Sequence, residues 1–120
     1  MHIFEYGIIR YVPDVERQEF INVGIVLSCQ QQRSLRCDFR LDSARVQAFA
    51  PRCDLDFLRT HLVCFQRVCD GEGPVGALPL RERFHWLCAP RSTILQVSPL
   101  HSGMTEDLAQ SMTHLLNKFT

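Results

Sequence analysis

Apolar residues recur with a period of two in three segments of the first third of the chain, and this alternation predicts β-strands. The predicted strands cover residues 3–12, 20–29 and 34–41. In the third strand, apolar and polar residues alternate most regularly, as in a strand with one face buried. The short segments between the strands favour an antiparallel sheet.

Further along the chain, apolar residues recur at spacings of three and four, which is typical of helices buried along one side. Asp42 and Asp54 are suited to cap the first two helices, because a carboxylate accepts bonds from free backbone N–H groups. Pro79 suits the first position of a third helix. Thr105 is the expected cap of a fourth helix.

Two remaining segments complete the predicted fold. Residues 70–77 are rich in glycine and indicate a loop, and residues 93–98 indicate a fourth strand. We therefore expect an α+β fold in a single domain of residues 1–120, with a small antiparallel sheet of three to four strands packed on three to four helices.

Composition narrows the classes of function only slightly. The chain has 13 basic and 13 acidic residues, so bulk charge does not favour binding to nucleic acid or to a membrane. The start of the chain lacks a basic region followed by a long apolar region, and no apolar run reaches the ~20 residues of a membrane span. A cytoplasmic location is therefore expected.

Six cysteines occur without any Cys-x-x-Cys spacing. Since no secretory signal is present, we interpret them as free, small apolar residues and not as disulfides or metal ligands. No metal site and no cofactor are predicted.

The first group of candidate site residues lies around the connection between the first two strands. It contains Arg10, Arg17, Glu19 and Asn22. Arg10 interrupts an apolar strand face, which is costly unless the guanidinium is paired. One interpretation is a salt-bridged clamp between Arg10 and Glu19 or Asp14, with Asn22 satisfying backbone of the turn. The other is an anion or carboxylate site at the end of the sheet.

The second group consists of Arg83, Trp86, Arg91, Ser92 and His101. Arginines, an indole and a hydroxyl can bind phosphate or a stacked base. His101, predicted in a loop rich in proline and glycine, is a weak candidate for a general base. The alternative is an amphipathic helix with solvated arginines and a structural loop histidine.

Two segments resemble the bacterial family DUF3037, a family of small proteins of unknown function. They are Tyr6-Gly-Ile-Ile-Arg-Tyr-Val-Pro13, continued by Arg17-Gln-Glu-Phe-Ile-Asn-Val-Gly-Ile-Val-Leu27, and Arg83-Phe-His-Trp-Leu-Cys-Ala-Pro-Arg-Ser-Thr93 with Ser98-Pro-Leu-His-Ser-Gly103. The resemblance extends over nearly the whole chain. It implies no activity, but genes of the family can lie beside those of HipA-like kinases, which implies a partner protein.

Three hypotheses for function follow. The first is an accessory or binding module that acts with a partner protein, a HipA-like kinase being the candidate. Its contact residues would be Arg10, Arg17, Glu19, Asn22, Arg83, Trp86, Arg91, Ser92 and His101.

The second hypothesis is a nucleotide- or nucleic-acid-binding protein, or a metal-independent hydrolase that uses Glu19 and His101 at an arginine-lined cleft. The third is a structural or self-associating subunit. No Ser-His-Asp order and no metal-ligand spacing is present, so the sequence leans against an enzyme. It does not predict the oligomeric state.

Overall fold

Strands and helices alternate irregularly along the chain, as in an α+β fold. The computed structural model describes all 120 residues. The strands are β1 (His2–Tyr11), β2 (Ile21–Cys29), β3 (Ser34–Phe39), β4 (Leu95–Val97) and β5 (His101–Thr105). The helices are α1 (Ser43–Phe49), α2 (Leu55–Cys69), α3 (Gly73–Gly76), α4 (Leu80–Cys88) and α5 (Leu108–Phe119).

The sheet has the order β3-β2-β1-β4, and β5 also pairs with β1. Every pairing is antiparallel. The predicted α+β class is confirmed, but the sheet has five strands and not three to four. The predicted loop at residues 70–77 contains the four-residue helix α3. None of the helices combines the length and the apolar content needed to cross a bilayer.

Helices cover both faces of the sheet, so the core has two parts. The larger part joins β1 and β2 to α2 and α4, and the smaller part joins the other sheet face to α5. Strand β2 lies between them and is almost continuously buried, as expected of a strand with helices on both sides. Side chains of the two parts alternate along β1, where Ile8 faces α5 and Ile9 faces the larger part.

Local capping chemistry explains where the helices begin. The carboxylates of Asp42 and Asp54 accept bonds from the N–H groups of Arg45 (3.2 Å) and Phe57 (3.1 Å), as predicted. The prediction of Thr105 as a cap is wrong. Thr105 ends β5, and α5 is capped by Asp107.

Of the predicted strand at residues 93–98, only Leu95–Val97 lies in the sheet, as β4. The chain leaves the sheet after β4 and rejoins it as β5, a strand that was not predicted. Ser98 allows this break, since its buried hydroxyl accepts the N–H of Ile8 (2.8 Å) and donates to the carbonyl of Pro99 (2.9 Å). A side chain at Gly7 would collide with Val97 at the same place. Glycine at position 7 therefore permits the close approach of the two segments.

Candidate functional site

The end of β1 is flanked by two cavities. Arg10 and Tyr11 are consecutive in this strand and therefore point to opposite faces of the sheet. Arg10 pairs with Asn22 of β2 and with Gln96 of β4. One cavity includes Arg10 and the other includes Tyr11.

The arginine cavity has a volume of about 380 Å³ and contains no acidic residue. Arg10 lies with its Cζ 4.0 Å from the centroid of the Phe20 ring. The Nε atom of Arg10 is buried and has no hydrogen-bond partner. The lining residues are Arg10, Val12, Val15, Gln18, Phe20, Arg91, Ser92 and Gln96.

Arg91 reaches the same cavity from the loop after α4. Its Nε donates to the carbonyl of Ala89 (3.3 Å) and its Nη2 to the carbonyl of Trp86. Its Cζ also lies 4.5 Å from the centroid of the Trp86 ring. These contacts fix the orientation of the guanidinium, and Arg10, Arg91 and Ser92 line one cavity together.

The turn cavity has a volume of about 700 Å³ and contains both acidic and basic residues. Within it, Arg17 Nε lies 2.5 Å from Glu19 Oε1, with side chains 69% and 54% exposed. The expected clamp between Arg10 and Glu19 is therefore wrong. Gln18 adopts a left-handed conformation (φ 57°) between Arg17 and Glu19. The ion pair therefore joins two residues of the same turn and does not link the two strands. The lining residues are Tyr11, Pro13, Asp14, Arg17, Glu19, Phe49, Ala50, Pro51, Arg52 and Cys53.

Tyr11 contributes a buried phenol to the turn cavity. Burial, followed by the neighbouring thiol of Cys53, raises the pKa of Tyr11 to about 12. Because loss of the proton would place a charge in an apolar environment, Tyr11 is neutral at physiological pH. It is therefore a hydrogen-bonding group of this cavity and not a base.

Two of the predicted site residues have structural contacts. Arg83 donates to the carbonyls of Leu78 (2.8 Å), Val68 (3.2 Å) and Cys69 (3.0 Å), which joins the end of α2 to the start of α4. Asn22 lies at the irregular pairing of β1 with β2, and its carbonyl accepts a bond from Arg45 (2.9 Å).

His101 lies in a different place from the one predicted. It begins β5, not a loop, and its ring lies 5.4 Å from that of Tyr6. Tyr6 and Arg10 are four residues apart in β1, which is about 13 Å along a strand. Since Glu19 lies in the turn cavity, the structure does not assemble Glu19 and His101 into one site.

The thiols of Cys88 and Cys69 are not activated nucleophiles. Burial raises the pKa of Cys88 to about 12, although nearby Arg91 opposes the shift. Burial likewise raises the pKa of Cys69 to about 12. Both thiols are therefore protonated at neutral pH. No group of three or more His, Cys, Asp or Glu side chains is placed to hold a metal ion.

A groove beside the arginine cavity was missed by sequence reasoning. We call it the Trp86 groove; it has a volume of about 420 Å³, and seven of its ten lining residues are apolar. Trp86 is 42% exposed and Phe57 is 53% exposed. The available signal was that Phe57 lies outside the apolar positions of α2, spaced by three and four, that form its buried side. The lining residues are Phe57, His61, Cys64, Phe65, Val68, Trp86, Arg91, Thr93, Ile94 and Leu95.

Comparison with known protein families gives a match along almost the entire chain. The family model described as "Protein of unknown function (DUF3037)" matches residues 6–120. The chain belongs to the DUF3037 family. The resemblance seen in the sequence is thereby confirmed. Comparisons with curated proteins and with solved structures each gave no match.

The two segments that carry the resemblance to DUF3037 meet in the folded chain. Arg10 and Phe20 come from the opening segment, and Arg91 and Ser92 come from the later one. They line the arginine cavity together, although about 70 or more residues separate them in the sequence. This cavity and the adjacent Trp86 groove are the candidate site.

Proposed function

We propose that this chain is a cytoplasmic accessory module that binds a partner protein through the Trp86 groove. A HipA-like kinase is the candidate partner. The observation that supports this proposal is the pairing of Arg91 with an exposed Trp86 at the edge of an apolar groove.

The chemistry of the groove suits a protein ligand. Tryptophan and arginine are the residues most often responsible for binding energy at protein interfaces. Trp86 and Arg91 stack on each other, so less side-chain entropy would be lost when a partner binds. Exposed Phe57, whose ring lies 4.3 Å from that of His61, extends the surface that would be buried.

A binding role fits the placement of the catalytic candidates better than an enzymatic role does. Glu19 lies in the turn cavity, His101 lies in β5 opposite Tyr6, and Cys88 is a neutral thiol. A general base has to reach the proton that it removes, either directly or through one water. These side chains do not meet that condition as a group.

Co-purification with a HipA-like kinase tests the proposal. We expect the Trp86→Ala variant to bind the kinase at least tenfold more weakly, about 1.4 kcal/mol, because the exposed indole would be buried at the interface. Phe49→Ala is a matched control, since Phe49 is also a partly exposed aromatic residue but lies in the turn cavity.

Two outcomes would contradict the proposal in different ways. Equal binding by Trp86→Ala and wild type would exclude the groove as the contact surface. Failure of the folded wild-type protein to bind the kinase would exclude that partner.

One observation favours a second candidate function, self-association. Ile3 of β1 and Met104 of β5 are paired neighbours, and they are 57% and 63% exposed. Strand β5 has no partner on its outer side, and such an edge can pair with another chain. If the chain self-associates there, Met104→Lys will convert an oligomer to a monomer in sedimentation velocity; a wild type that is already monomeric would exclude this function.

A further inference from the structure

We propose that the arginine cavity binds an oxyanion, a phosphate or carboxylate group, between Arg10 and Arg91. This site goes beyond partner binding at the Trp86 groove, since a small molecule is sufficient to fill it. Both guanidinium groups have donors without acceptors, the cavity wall contains no acidic residue, and the volume is sufficient for a small ligand.

Arg10 has unused hydrogen-bonding capacity in a partly buried position. Its buried Nε has no acceptor, and its only aromatic contact is the face of Phe20. A buried donor without a partner is unfavourable. An anion placed against Arg10 would supply the missing acceptor and would compensate the positive charge.

Every other partly buried arginine has an acceptor within the chain, and so does the exposed Arg17. Arg17 and Arg81 pair with the carboxylates of Glu19 and Glu5. Arg83 uses its donors on three backbone carbonyls. Arg10 is bonded neither to a carboxylate nor to a backbone carbonyl. We therefore expect its acceptor to come from outside the chain.

Arg91 is positioned to act as the second cation. Bonds from Nε and Nη2 to Ala89 and Trp86 fix the orientation of its guanidinium and leave Nη1 without an acceptor. The planar guanidinium group is suited to carboxylate and phosphate oxygens. A single oxyanion between the two arginines would reduce their mutual repulsion.

The rest of the cavity is compatible with such a ligand. Ser92 brings a hydroxyl, and Gln18 and Gln96 bring amides. Val12 and Val15 form an apolar wall, which strengthens electrostatic attraction by excluding water. A volume of about 380 Å³ matches the lower end of small-molecule sites.

Binding is measured by NMR titration of the isotope-labelled chain, with the Nε–H signal of Arg10 as the reporter. Inorganic phosphate, succinate and AMP are added separately at low ionic strength. We expect at least one anion to shift the Arg10 signal and to saturate it. Saturation by phosphate alone would identify the ligand as a phosphate group, and saturation by succinate alone would identify it as a carboxylate. If AMP binds more tightly than phosphate, the ligand is a nucleotide.

Variants locate the site. Arg10→Lys keeps the charge but removes the planar fork, and we expect at least a fivefold loss of affinity measured on backbone signals. Ser92→Ala removes an exposed hydroxyl without disturbing the core, and we expect a twofold to fivefold loss. Arg17→Gln is the matched control, since it removes an exposed arginine from the turn cavity, and we expect no change.

The proposal is overturned if none of the three anions saturates the Arg10 signal below about 10 mM. Binding that needs a higher concentration would be weaker than the millimolar affinity of a specific small ligand. It is also overturned if Arg17→Gln weakens binding as much as Arg10→Lys does. Ser92→Ala keeps the test valid if Arg10→Lys does not fold. Kinase binding is judged on Trp86→Ala, so failure of one proposal leaves the other standing.

Discussion

The two cavities that flank the end of β1 differ in how they use arginine. In the turn cavity, Arg17 is mostly exposed and pairs with Glu19 two residues away. In the arginine cavity, Arg10 is half-buried against Phe20, and no acidic residue lies in the wall. The chain has a net charge of zero, yet this cavity is lined by two arginines and no acidic residue.

Neither charge nor arginine content alone marks a binding site in this molecule. Arg17 belongs to the more charged segment, but water and Glu19 already satisfy it. Arg10 has no carboxylate partner, and its environment leaves a buried donor without an acceptor. The arginine cavity is therefore the better candidate for binding, although it is the smaller of the two.

The largest expected effect comes from making the arginine cavity resemble the turn cavity. Gln96 lies opposite Arg10 on β4 and lines the cavity with Arg91. Gln96→Glu would place an internal carboxylate where we propose that an anion binds, since directly opposed strand residues lie within about 5.5 Å. We expect anion affinity, measured by the same NMR titration, to fall more than tenfold.

Gln96→Ala separates the effect of charge from the loss of the amide, which also donates to the carbonyl of Thr93 (3.2 Å). The anion affinity of this control should be within about threefold of the wild-type affinity, because the alanine removes at most one weak hydrogen bond. Equal affinity of the glutamate and alanine variants would show that the anion is not held beside position 96.

Sequence reasoning predicted the features that depend on neighbours along the chain. The caps at Asp42 and Asp54 were correct because capping involves residues only three positions apart. Strand β5 was missed because His101–Thr105 has no apolar alternation and is fixed by its pairing with β1. The cap of α5 moved to Asp107 because β5 extends as far as Thr105.

Only four residues of the candidate site were named from the sequence, and their arrangement was not predicted: Arg10, Trp86, Arg91 and Ser92. Arg10 and Arg91 were both identified, yet their meeting depends on the pairing of β1 with β4, which no local pattern reveals. The clamp interpretation paired Arg10 with Glu19 or Asp14, which are charged and near in sequence. The short turn between Arg17 and Glu19 instead favours the local pair.

An intermediate effect is expected from the buried phenol of the turn cavity. Because burial raises the pKa of Tyr11 from 10.0 to about 12, the folded state holds this proton more tightly than the unfolded state does. The stabilisation is complete below pH 10 and is lost as pH rises from 10 through 12. Tyr11 should contribute roughly 1–2 kcal/mol of this alkaline loss of stability.

Urea unfolding of wild type and Tyr11→Phe between pH 9 and 12 measures this contribution. Burial raises the pKa values of Cys37, Cys69 and Cys88 in the same direction, so both proteins should lose stability in alkali. The phenylalanine variant should lose less. Identical pH profiles would show that Tyr11 does not titrate from a buried position.

The smallest effect is expected from breaking the ion pair of the turn cavity. Glu19→Gln frees Arg17 from its carboxylate, but both side chains are more than half exposed, so the free energy of unfolding in urea should change by less than about 0.5 kcal/mol. The freed Arg17 should also bind no anion in the NMR titration, because water solvates its guanidinium. If the Glu19→Gln variant did bind an anion at Arg17, removal of the neighbouring acid would be sufficient to create an anion site. The burial of Arg10 would then not explain why an anion binds in the arginine cavity.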